Sequence, residues 1–164
     1  MTSTAFSIRP ATASDVFAIH ALVRDLARYE KLEHLMISTP EDFARELFGP
    51  NARIECIMAT VDETAIGFAL FFHNFSTFLG RKGLYLEDLF VKPECRGKGY
   101  GKALLVRLAQ IAVERNCGRF EWSVLDWNTP SIDFYKAMGA TVMPEWNIVR
   151  TAGDALKSMA AMKA

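Results

Sequence analysis

From Leu89 to Leu105 the chain reads LFVKPECRGKGYGKALL, an apolar run, a proline, three alternating glycines and then leucines at helical spacing. Pro93 ends any strand through Leu89–Val91, because it cannot donate to a ladder. Leu104, Leu105, Leu108, Ile111 and Ala112 share one face of a helix beginning near Gly101. The order is therefore strand, glycine turn, helix. Gly97, Gly99 and Gly101 remove side chains where backbone must approach something closely. The first N–H groups of the helix are unpaired and sit at its positive end. Arg96, Lys98 and Lys102 add full charges, so the junction reads as a cradle for a diphosphate. Two common phosphate motifs fail here. A Walker loop ending at Gly101-Lys102 needs glycine at Arg96 and a hydroxyl at Ala103, and a GxGxxG needs glycine at Lys102 or Leu104. A flexible loop capping an ordinary helix is the plainer alternative.

The rest of the chain sets this junction in an α/β order. Thr12 and Asp15 match a capping box, and Val16, Ile19, Val23 and Leu26 carry an amphipathic helix to Tyr29. Thr39-Pro40 with Asp42 starts a second helix that Gly49 stops. ECIMATV, the turn-like DET, AIGFALFFHNF and GLYLEDLFV predict an antiparallel meander. After the glycine turn and its helix, closed by Asn116 and Gly118, RFEWSVL is the next strand. Thr129-Pro130 starts a helix carrying Ile132, Phe134, Tyr135 and Met138 to Gly139, and ATVMPEWNIVR returns as a final extended segment. A short terminal helix is expected near Ala155–Met162. The sum is a mixed, mostly antiparallel sheet flanked by helices, in a single domain over residues 1–164, a length that buries a sizeable core.

Composition removes several function classes. Lys and Arg number 19, Asp and Glu 19, and no long run of like charge occurs, so neither disorder nor a nucleic-acid-coating surface is expected. The longest apolar run, AIGFALFF, is too short to span a bilayer, and MTSTAFSIRP lacks a signal-peptide core. Cys56, Cys95 and Cys117 form no CxxC pair and leave one over from any disulfide, which fits a reducing, cytoplasmic setting and no metal site.

LFVKPECRGKGYGKALL resembles the coenzyme A signature of the GNAT superfamily of N-acetyltransferases, a strand followed by R/Q-x-x-G-x-G/A and a helix. Arg96, Gly99 and Gly101 fill those places. WNTPSIDFYKAMGA resembles the segment flanking the cofactor's pantetheine arm and sulfur. RPATASD, ARYEKLE, YLEDLFV, RGKGYG, WNTPSIDFYK and a later EW match, in order, the branch of diamine (spermidine/spermine) and thialysine acetyltransferases. The resemblance implies the GNAT fold and acetyl-CoA as cofactor. Its contacts would come from Leu89, Phe90, Val91, Arg96, Gly97, Lys98, Gly99, Tyr100, Gly101 and Lys102, and from Asn128, Pro130 and Ser131 downstream.

Acetyl transfer to an amine begins as an acid–base problem. An alkyl amine of pKa ~10.4 is neutral to only about one part in ~2,500 at pH 7, so a proton must leave first. Glu87 resembles the branch's proton acceptor, acting through water. In a regular strand Asp88 would point to the opposite side from Glu87; the plainer alternative for the pair is a salt-bridging strand end. Tyr135, at the family's tyrosine place in FYK, is the candidate acid for the departing thiolate, against a role as helix core. The backbone N–H groups around Leu89–Val91 would hold the oxyanion. An acyl-enzyme on Cys95 finds no histidine nearby in sequence, and direct attack in a ternary complex needs none.

A cationic acceptor calls for spaced carboxylates. The resemblance assigns substrate contacts to Tyr29, Glu30, Glu87 and Glu145, with Asp88 beside them and Glu121, Trp122 and Ser123 on a further lining strand. A solvated helix end is the alternative for Glu30 and Glu33. His34 stands where polyamine enzymes commonly carry another acid, and the segment before Glu145 is shorter; both speak against a long polyamine. A short diamine, thialysine, lysine or ornithine is equally consistent. A non-catalytic acyl-CoA sensor and an enzyme acting on a protein or peptide amine stay open. The branch is typically dimeric, so a homodimer is expected.

Overall fold

The computed structural model describes residues 5–162. They divide into two compact units, one up to Ser123 and one from Val124 onward.

The first unit is a five-stranded sheet in the order β1-β2-β3-β4-β5. Its strands are β1 (Phe6–Pro10), β2 (Ile54–Val61), β3 (Thr64–Ser76), β4 (Arg81–Val91) and β5 (Arg119–Trp122). The first four run antiparallel to their neighbours, and β5 is parallel to β4. Helices α1 (Val16–Tyr29) and α2 (Pro40–Phe48) precede β2, and α3 (Tyr100–Glu114) makes the crossover from β4 to β5 that a parallel pair requires.

The expected meander and helices form, and β1 is an addition. FSIRP alternates apolar Phe6 and Ile8 with polar Ser7 and Arg9, the period of a half-buried strand. Arg9 then ion-pairs with Asp15 at 2.7 Å, fixing the strand to the turn that starts α1. The Thr12–Asp15 capping box forms, but it opens a short 3-10 turn (Ala13–Asp15) before the α-helix proper. Thr39 caps α2 as its sequence requires. Asn116 adopts φ 54° just after α3, the left-handed stop that asparagine tolerates.

Adjacent strand residues face opposite ways, and each face of the sheet has its own cover. Cys56, Met58, Phe68, Leu70 and Phe90 pack in one core with Ile19, Leu22, Leu26 and Leu47 of α1 and α2. The alternate residues Phe71, Leu84 and Leu86 are buried on the other face, where Arg115 at the end of α3 lies over Phe71. Burying each such side chain contributes about 1.5–3 kcal/mol.

The second unit holds α4 (Thr129–Ala137) and α5 (Gly153–Ala160). The expected final strand is not formed. Residues 140–150 adopt neither helix nor strand, and 141–150 are all exposed. A strand needs a hydrogen-bonded neighbour, and none pairs with this segment among the described residues. RFEWSVL is likewise shorter than expected, since β5 ends at Trp122 and Ser123 lies beyond it. Among the described residues no helix is long and apolar enough to cross a membrane.

Candidate functional site

A bulge in β4 creates the site. Phe71 of β3 pairs with Leu86 and Leu70 pairs with Asp88, so Glu87 is an extra residue with no partner on β3. The alternation of a regular strand therefore breaks between Leu86 and Asp88. Asp88 shares the α1 face with its partner Leu70 and with Phe90, whereas Leu86, only two residues earlier, lies on the α3 face. Glu87 is exposed, and Asp88 is half-buried.

The pairing on the other edge stops at the same place. Among the described residues β5 pairs with β4 only from Gly83–Arg119 to Leu86–Trp122. From Glu87 to Val91 the outer edge of β4, which includes Leu89, Phe90 and Val91, has no strand beside it. An open ladder of this kind can accept an extended ligand.

Three carboxylates converge at the bulge. Burial, with the charges of Glu87 and Glu30 adding to it, raises the pKa of Asp88 to about 7. Burial also raises the Glu30 carboxyl. Glu30 caps the C-terminal end of α1, directly after Tyr29. Glu33, the other acid of YEKLE, is held by Arg28 at 2.8 Å.

Downstream, the chain turns through Pro93–Cys95 into the glycine segment. Gly97 and Gly99 have φ of 76° and 83°, and no atom lies within 4 Å of where a Cβ would stand on either. Conformation, not crowding by the protein, demands glycine there. Gly99 is the N-cap of α3, and no side chain caps its N–H groups. Gly101 lies inside the first turn, and a Cβ there would meet only Val91 Cγ2 at 4.0 Å. Lys98 and Lys102 are exposed around this uncapped end. Tyr100 stacks on Phe6 of β1, with ring centroids 4.4 Å apart, and so anchors the start of α3.

Arg96 is differently placed from the lysines. Its Nε donates to the Val91 carbonyl at 2.9 Å, and its guanidinium lies 4.6 Å from the Tyr29 ring centroid and 5.3 Å from that of Phe90. The arginine that opens the glycine turn and the tyrosine that ends α1 thus touch. Spacing along the chain gives no sign of this, because α1 and the turn are separated by the whole meander.

Other candidates lie further along the sheet. Glu121 accepts from Asn74 Nδ2 at 3.1 Å and pairs with Arg119 at 2.9 Å. Gly83 sits between Asn74 and Arg119, and a Cβ on it would collide with the Asn74 side chain. Ser123 Oγ and the Tyr85 hydroxyl are 2.9 Å apart. Trp122 is half-buried and its ring lies 4.7 Å from that of Phe120.

In the second unit Asn128 is buried at the N-cap of α4, with Pro130 and Ser131 in the first turn. Tyr135 is half-buried on the same helix, its ring 5.4 Å from Phe134. Glu145 is exposed in a turn beside Trp146.

The chain matches the family model described as Acetyltransferase (GNAT) family over residues 19–140. It is 34% identical to a thialysine N-epsilon-acetyltransferase of Sus scrofa, over 93% of this chain and 96% of that protein. It is 33% identical to an L-ornithine N5-acetyltransferase of Arabidopsis thaliana, over 93% of this chain and 86% of that one. Among solved structures, an integron cassette protein from the mobile metagenome of V. cholerae superposes with a TM-score of 0.82 at 27% identity, covering 98% of this chain and all of that one. With a family model matched over most of its length and relatives of this identity over nearly the whole chain, the protein belongs to the GNAT family of acetyltransferases.

Proposed function

We propose that this protein transfers the acetyl group of acetyl-CoA to a primary amine of a small diamine, polyamine or basic amino acid, by direct attack with both substrates bound. The observation that carries the acceptor class is the half-buried Asp88 between the charges of Glu30 and Glu87. Three acids held together this way repel one another, and a cation among them relieves the repulsion. The named relatives, acting on thialysine and ornithine, support a short acceptor.

Acetyl-CoA, when bound, supplies an acetyl thioester. The uncapped N–H groups from Gly99 onward, with Lys98 and Lys102, hold its diphosphate. The open edge of β4 at Leu89–Val91 hydrogen-bonds the extended arm, and its N–H groups stabilise negative charge on the carbonyl oxygen. The family resemblance assigns Asn128, Pro130 and Ser131 to the arm as well. Asp88, Glu30 and Tyr29 bind the acceptor's cationic end, with Glu121, Trp122, Ser123 and Glu145 as further acceptor contacts. Glu87, exposed at the bulge, removes the ammonium proton through water, and Tyr135 protonates the departing thiolate. Proximity of the two substrates supplies much of the remaining acceleration. The enzyme works as a homodimer in the cytoplasm, where its three unpaired cysteines suit a reducing milieu.

The test is acetyl-CoA turnover across thialysine, L-ornithine, L-lysine, 1,3-diaminopropane, spermidine and a lysine-containing peptide. Short amines should be acetylated best. Glu87→Gln should lower kcat/KM by about 10²–10⁴-fold and flatten its pH profile, and Tyr135→Phe should lower kcat. Turnover of the peptide alone makes a protein amine the acceptor, and coenzyme A binding with no turnover makes the protein a sensor.

A further inference from the structure

We infer that Arg96 is a positioning residue that clamps the acceptor lip, the end of α1 at Tyr29–Glu30 and the residues 31–35 that follow, to the cofactor turn, so that binding at either site tightens the other. The inference rests on the acetyltransferase reading above and adds a regulatory link between its two halves.

The side chain touches three elements. Arg96 leaves the chain one residue before Gly97, at the start of the cradle. Its Nε–H is fixed by the Val91 carbonyl at the end of β4. Its guanidinium plane is shared by Phe90, buried in the α1 core, and Tyr29, the last residue of α1. Glu30 follows Tyr29 and is one of the two charges acting on Asp88. The path from cradle to acids is thus four residues long, each in contact or electrostatic register with the next: Arg96, Tyr29, Glu30, Asp88.

The lip needs such a clamp. Lys31 follows at φ 62°, a backbone conformation that a lysine rarely adopts, and residues 31–35 are exposed. The segment that follows α1 therefore has little burial of its own to hold it in place. An anion in the glycine turn fixes the backbone on which Arg96 stands, and a cation–π contact on the far side transmits that order to Tyr29. The thermodynamics are reciprocal: a cofactor that strengthens acceptor binding is itself bound more tightly when the acceptor is present. A guanidinium suits the role because one plane can donate to a carbonyl and lie against rings at once, whereas an ammonium is a point charge.

The experiment is calorimetric titration with the best acceptor from the panel above, with and without saturating coenzyme A, which has no acetyl group to transfer. The ratio of the two acceptor Kd values is the coupling factor. The wild type should give about tenfold, within the range usual for coupled sites. Arg96→Gln and Tyr29→Leu should each bring it to within about twofold of unity, because each removes one side of the cation–π contact. Tyr29→Phe, which keeps the ring, should retain it. A merely structural role for Arg96 would weaken both ligands and leave the ratio unchanged. A ratio near one in the wild type, or an undiminished ratio in Arg96→Gln, overturns the clamp while leaving the acetyltransferase reading intact. Failure of the wild type to bind coenzyme A at all overturns both.

Discussion

At neutral pH Asp88 stands near its midpoint, with a pKa of about 7 against an ordinary 3.8. The native chain keeps this proton between those two values, where the unfolded chain has lost it. Native protein then binds more protons than unfolded protein, so stability falls as pH rises across that window. Asp88→Asn removes the ionisable group and should stabilise the ligand-free fold at pH 8 by about 1–3 kcal/mol, after discounting for partial solvent screening, with little change at pH 4. Thermal melts of both proteins at the two pH values check this. The acceptor should show the opposite preference. An ammonium pairs with ionised Asp88, so wild-type acceptor KM should fall as pH rises from 6 to 8, and in Asp88→Asn it should be higher and flatter. Equal melting at pH 8 would mean that Asp88 is ordinarily ionised. The sequence displays the two adjacent acids but not this division of labour, because only the bulge puts Asp88 rather than Glu87 on the face covered by α1.

Elements were legible where one period ran long enough. The leucines of α3, the apolar stripe of α1 and the capping sequences of Thr12 and Thr39 each specify their own local structure. What the periodicity does not carry depends on partners distant in sequence: the bulge, which exists only as a register between β3 and β4, and the early end of β5, whose pairing with β4 stops at Leu86–Trp122. Strand β1 was legible in the alternation of FSIRP but is only five residues long. The glycine turn divides the same way. Gly99→Ala places a side chain at φ 83° and should cost about 1–2 kcal/mol of stability and about tenfold or more in acetyl-CoA affinity. Gly101→Ala meets only an ordinary contact at 4.0 Å and should stabilise α3 by up to about 1 kcal/mol, with acetyl-CoA affinity nearly unchanged. Urea melts and titrations of the two variants check the contrast, and equal losses in both would show that ligand approach, not backbone conformation, fixes these glycines.

For the whole molecule, the segment read as a final strand carries the argument. TVMPEWNIV holds five large apolar residues, and Trp146, Ile148 and Val149 are 73%, 71% and 94% exposed. Apolar residues fall at 142, 146 and 148 and also at 143 and 149, so both sides of an extended segment would be apolar, as in a strand covered on both faces. Sequence alone marks such a stretch as strand-forming, but pairing requires a neighbour, and the described residues of one chain supply none. A second copy of the chain is the partner we propose, with the segment ordered across a symmetric interface. Leaving these side chains in water instead would expose an apolar patch that folded monomers rarely tolerate. Sedimentation equilibrium at micromolar concentration should then return the mass of two chains. Ile148→Asp combined with Val149→Asp should return the mass of one, because each carboxylate would have to be desolvated in the interface. Both substitutions are at exposed positions, so the folded sheet and its circular dichroism should survive them. Activity would then report whether the interface matters to the site: retained turnover in the single chain makes it a matter of stability, and lost turnover with intact coenzyme A binding makes it part of the acceptor site. A wild type that sediments as one chain would make residues 140–150 an exposed connection between α4 and α5.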